Sequence, residues 1–143
     1  MRTLLHSLRS LPGLLLACCL LCPTPAFAAA QLLGSKEIAG IKATATLETI
    51  ANPAYVAMGV GQTHRFSIRF NAGDKPKPLT KGLVAVKVSG PDGELSKAIK
   101  LNLESGVFTS NLNLLQRGDY LVVVGCRIND GRKRQFHFPL TIK

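Results

Sequence analysis

The side chains able to do chemistry in this chain are few. Beyond residue 28 it carries two histidines, His64 and His137, one methionine, Met58, and one cysteine, Cys126. Met58 and His64 flank the short stretch Gly59 to Thr63, so a turn there would bring a thioether and an imidazole to one end of a domain. Soft sulfur beside imidazole suits copper, above all Cu(I), and the pair is therefore the candidate metal site. Two ligands make a sparse site, and His64 shares the parity of Phe66, Ile68 and Phe70, so a histidine packed at the end of a strand is the alternative reading. His137 lies between Phe136 and Phe138 and reads as facing solvent. Cys126 shares parity with Tyr120, Val122 and Val124, which predicts a buried thiol that packs as a small apolar group.

Catalytic patterns are absent from the sequence. It has no Gly-x-Ser-x-Gly elbow, no phosphate-binding loop and no paired-histidine motif. Gly59-Val60-Gly61 is too short for a nucleotide loop and reads as a turn. General acid–base work needs titratable groups gathered in a cleft. The expectation is accordingly no catalytic residue, no bound organic cofactor and no enzyme activity.

The first residues carry an export signal. Arg2 and Arg9 give a basic start, Leu11 to Leu21 form an apolar run, Pro23 and Pro25 break it, and Ala26-Phe27-Ala28 supplies the small-x-small site that signal peptidase reads. The run is about half the roughly 20 apolar residues a spanning helix needs, so no membrane span is predicted. Leu15-Leu16-Ala17-Cys18 also resembles a lipobox, and a lipid anchor at Cys18 is the alternative outcome of processing. Cleavage after Ala28 would remove Cys18, Cys19 and Cys22 and leave Cys126 alone, so no internal disulfide could form. The sequence thus divides into a signal peptide (1–28), a tether with weak helical character (29–40) and a folded domain (41–143), located in the periplasm or outside the cell. Removing residues 1–28 takes away two arginines and no acid, so the net charge falls from +10 to +8. That excess favours a protein or an anionic envelope component as partner. Arg132, Lys133 and Arg134 on the final hairpin, and Lys75, Lys77 and Lys81 in a long loop, read as solubilising groups. Aromatic residues do not interleave with them on the wet face, so nucleic acid is not an expected partner.

The elements that must position these residues are strands. From Ile41 the apolar period is two: Ile41, Ala43, Ala45 and Leu47; then Phe66, Ile68 and Phe70; then Val84, Val86 and Val88. Ile99, Leu101 and Leu103 follow, then Phe108, Ser110, Leu112 and Leu114. Such alternation marks strands with one buried and one wet face. Tyr120 to Ile128 is apolar on both parities, which predicts a central strand. Phe136, Phe138, Leu140 and Ile142 define the last strand, which Pro139 confines to an edge or a bulge. Gly90-Pro91-Asp92-Gly93 and Asn129-Asp130-Gly131 are tight turns. Seven or eight strands at such spacing predict an all-β fold, an immunoglobulin-like antiparallel β-sandwich. Leu114-Leu115-Gln116-Arg117-Gly118-Asp119-Tyr120 matches the approach to a tyrosine corner, in which the phenol hydroxyl bonds back to the preceding chain.

Three stretches carry a family resemblance: Thr80 to Val88 with Gly90-Pro91-Asp92-Gly93, Gly118-Asp119-Tyr120, and Asp130 to Phe138. Over residues 57–143 the chain resembles small exported bacterial proteins with a YtkA-like domain. The resemblance implies methionine and histidine ligands on loops at the sandwich end, and Met58 with His64 would match the first such loop. The second, Leu101 to Val107, holds neither residue type. The sequence therefore predicts a non-enzymatic periplasmic binding or accessory module of unknown ligand. Copper handling through Met58 and His64, and a structural or adhesive envelope domain, are the alternatives.

Overall fold

The computed structural model describes residues 30–50, 58 and 62–143. The predicted signal peptide, the lipobox-like Cys18 and the predicted turn at Gly59-Val60-Gly61 lie outside the described residues. Within them every regular element is a strand: β1 (Gln31–Ile38), β2 (Ile41–Thr49), β3 (His64–Ala72), β4 (Gly82–Ser89), β5 (Ile99–Lys100), β6 (Asn102–Glu104), β7 (Val107–Leu112), β8 (Gly118–Ile128) and β9 (Lys133–Ile142). They form two antiparallel sheets, a five-stranded one ordered β1-β2-β3-β7-β6 and a four-stranded one ordered β5-β4-β8-β9. This is the predicted sandwich. It has nine strands where seven or eight were expected.

The two extra strands have separate physical causes. The segment Ile99 to Glu104, expected as one strand, changes sheets in its middle. Ile99 pairs with Val86 in the four-stranded sheet, and Leu103 pairs with Phe108 in the five-stranded one. Leu101 is the buried pivot between them, its N–H donating to the Val84 carbonyl at 2.9 Å. The other extra strand corrects the tether. Residues 31–38 are extended and pair with β2 along their length. A register shift between Leu32 and Gly34 breaks the alternation that would have announced this strand in the sequence.

The core is the inward parity of each strand. Phe66, Ile68 and Phe70 from β3 face Val122 and Val124 from β8 and Phe136 and Phe138 from β9, and all seven are fully buried. Phe70 meets Phe108 edge-on at 5.8 Å between centroids and Phe136 of the opposite sheet at 6.0 Å. Each such buried ring contributes roughly 1.5–3 kcal/mol through its removal from water. The tyrosine corner is formed: the Tyr120 hydroxyl donates to the Gln116 carbonyl at 2.8 Å and accepts from the Gln116 N–H at 3.1 Å. β9 is an edge strand, as Pro139 requires.

Arg134 departs from the expectation of a surface cation. It has the parity of Phe136 and Phe138 and points inward, buried. Its guanidinium holds both carboxylate oxygens of Asp130, at 2.8 and 2.7 Å, a planar fork on a planar acceptor. It also donates to the Ile38 and Ala39 carbonyls, each at 3.1 Å. Those carbonyls belong to the β1–β2 turn, where Ala39 (φ 48°) and Gly40 (φ 78°) both adopt positive φ. A type I′ hairpin turn needs that geometry, and alanine resists it. Arg134 thus fixes a strained turn and joins the edges of the two sheets.

Candidate functional site

The strand pairing explains where His64 sits. It opens β3, opposite Thr49 of β2 and Leu112 of β7, and is half-buried. The residue before it, Thr63, is buried, and its N–H donates to the Leu112 carbonyl at 2.9 Å. The Thr63 hydroxyl accepts from the Leu114 N–H at 2.9 Å and shares a hydrogen bond of 2.6 Å with His64 Nδ1. With one lone pair used, this oxygen can either donate to Nδ1 or accept from it, and the second arrangement leaves Nε2 as the open lone pair of the ring. Burial pushes the His64 pKa below its ordinary 6.5, which keeps the imidazole neutral at pH 7. Met58 stands in a turn of the β2–β3 connection and is 71% exposed. The rest of that connection, residues 51–57 and 59–61, lies outside the described residues.

The other loop that the family resemblance pointed to lies elsewhere. Ser105 and Gly106 form the β6–β7 turn, before Val107, whereas His64 pairs with Leu112 at the far end of β7. Six residues of strand place the two about 17 Å apart. No ligand from that loop can complete a site at His64. Among the described residues, no three histidine, cysteine or acidic side chains gather as a metal-holding group. One exposed thioether and one imidazole nitrogen have the right softness for Cu(I) but do not close a coordination shell.

The remaining sequence candidates fall as expected by parity. His137 is exposed on the outer face of β9. Cys126 is buried, and desolvation pushes its thiol up to about 11, well above the range of reactive thiols. The burial outweighs the lowering by the nearby Arg134 guanidinium.

A feature that sequence reasoning missed occupies the outer face of the four-stranded sheet. The outward parity of β8 presents Leu121, Val123, Gly125 and Arg127; β4 adds Leu83, Ala85 and Lys87; β9 adds Lys133, Gln135 and His137. Ala85, Gly125 and Gln135 stand in one cross-strand row, and Leu83, Arg127 and Lys133 in the next. The small residues of the first row form the floor of an open groove of about 600 Å³, walled by Leu83, Arg127 and Lys133. The signal was present: β8 is apolar on both parities, and only one parity faces the core. The outer face of the other sheet is polar, built from Thr44, Thr46, Ser67 and Thr109 with Arg65 and Arg69.

No protein-family model and no curated protein sequence matches the chain. Solved structures do. A copper-bound variant of FetP from uropathogenic Escherichia coli superposes with a TM-score of 0.60 at 10% identity, over 79% of this chain and 97% of that one. A DUF4426 family protein from Pseudomonas aeruginosa superposes with a TM-score of 0.54 at 15% identity, over 76% of this chain and 93% of that one. Neither carries the YtkA-like name. At these identities the likeness is one of fold, and it shows that the overall fold is shared with known small proteins.

Proposed function

We propose that this chain is a non-enzymatic binding or accessory domain of the cell envelope, working in the periplasm or outside the cell through its outer surfaces. The observation that carries the reading is the outer face of the four-stranded sheet, where apolar side chains and basic groups stand together around an open groove. The interior offers no rival: its aromatic and aliphatic side chains pack against one another, and every buried side-chain nitrogen or oxygen among the described residues has a partner. The export signal in residues 1–28 supports the location.

The copper-bound state of the FetP neighbour favours a second reading, a copper-handling protein that uses Met58 and His64. The hydrogen bond between Thr63 and His64 Nδ1 also supports it, since the arrangement in which Nδ1 donates leaves Nε2 as an open lone pair. Competition with a Cu(I) chelator at neutral pH separates the two. The first reading expects weak binding that is unchanged by Met58→Leu combined with His64→Ala. Tight one-to-one binding lost in that double variant would replace the first reading with the second.

A further inference from the structure

Arg127 of β8 and Lys133 of β9 are directly opposite each other across the strand pair, on the outer face. Like charges so placed destabilise a sheet. No acid relieves them: the two ion pairs among the described residues are Lys42–Asp74 and Arg134–Asp130. Lys100 adjoins the groove beside Ala85, and Lys87 stands in the next row, opposite Val123. Between these cations Ala85 and Gly125 leave a depression, beside a Leu83 that is 62% exposed. Resting on the proposed role as a binding module, we infer that this face docks an acidic protein segment, one apolar side chain of which seats over Gly125 while its carboxylates pair with Arg127 and Lys133.

The chemistry of the face selects this occupant over others. A second copy meeting the face about a twofold axis would oppose the same basic pair to itself. A lipid surface is recognised by aromatic and long apolar side chains that enter the interface, and here the floor is alanine and glycine. Single-stranded nucleic acid needs stacking aromatics, and this face has none of phenylalanine, tyrosine or tryptophan. An acidic segment with interspersed apolar residues answers both the unrelieved charge and the depression.

The fold permits a clean test. A Cβ added at Gly125 meets nothing within 4 Å, and the backbone there is not left-handed, so Gly125→Val fills the depression without strain. The probe is a short fluorescein-labelled peptide of alternating glutamate and leucine, titrated against the protein as processed in its host. Binding that weakens with salt, and that falls roughly tenfold or more in Gly125→Val and in Arg127→Glu with Lys133→Glu, is the expected result. Circular dichroism of each variant confirms that it folds. Equal binding of a glutamate–serine peptide, or binding indifferent to both variants, overturns the inference. Phosphatidylglycerol vesicles bound in place of the peptide, or a dimer in sedimentation that Gly125→Val dissolves, would reassign the face to a membrane or a second copy. Those outcomes leave the reading as a binding module that works through its outer surfaces standing, whereas tight copper binding through Met58 and His64 would replace that reading with copper handling, independently of the groove.

Discussion

At the scale of single residues, two kinds of side chain hold this fold: those that bond within their own segment or pack by strand parity, and those that reach a partner far away in the chain. Tyr120 belongs to the first kind, because the Leu114-to-Tyr120 spacing alone places its hydroxyl over Gln116, where two hydrogen bonds form. Tyr120→Phe removes both and leaves the Gln116 carbonyl without its side-chain partner. It is expected to lower stability by about 1 kcal/mol or more, measured by urea denaturation with unchanged m-value. Cys126 is also of this kind, since its parity with Val122 and Val124 buries it. With its thiol pushed up to about 11, it should resist a thiol reagent at pH 8 in the folded protein and react at once in denaturant; fast labelling of the native protein would contradict the packing. Arg134 belongs to the second kind. Its parity pointed inward, but its charge and its neighbours Arg132 and Lys133 made a surface reading natural, and its partners Ile38 and Ala39 are more than ninety residues away.

At the scale of elements, the strands that alternate cleanly, β2, β3, β4 and β9, stand where the sequence put them. The missed one, β1, is a mostly exposed strand with a register shift, and it turns into β2 through Ala39-Gly40, a dipeptide without the Asn-Gly or Asp-Gly signature of such hairpins. What holds that turn is the Asp130–Arg134 pair. The Arg134 and Arg132 hydrogen bonds hold the Asp130 carboxyl well below the usual carboxylate range. A depressed aspartate contributes stability that is present above its unfolded value of 3.8 and is lost as the pH falls below it. Acid unfolding followed by circular dichroism should therefore shift to higher pH in Arg134→Gln. Arg132→Gln should shift it less, since only its backbone N–H, which the substitution keeps, bonds Asp130 directly. A larger effect from Arg132 would show that the buried guanidinium is not what secures the turn. The candidate site was legible only in part. Met58 and His64 could be paired by sequence proximity, whereas the groove needed the cross-strand register of β4, β8 and β9, which no single segment encodes.

At the scale of the whole molecule, the expected architecture of two antiparallel sheets around one aromatic and aliphatic core is what the structure has, with residues 31–38 added to it. That addition tightens the prediction about processing. The first paired residue, Gln31, follows Ala28 by three positions, so cleavage after Ala28 would leave the folded unit whole and almost without a tail. Intact mass of the exported protein should correspond to a chain beginning at Ala29 and free of lipid. A diacylated product beginning at Cys18 would count against it. The Arg134 clasp has one more consequence, which concerns time. The first strand is fastened by a side chain from the last hairpin, so β1 cannot be secured until almost the entire chain is available. A contact spanning so much of the chain cannot close before Arg134 has emerged, however fast the strands then pair. The β1–β2 turn is therefore left without its fastening through most of synthesis, a state compatible with the export that residues 1–28 predict.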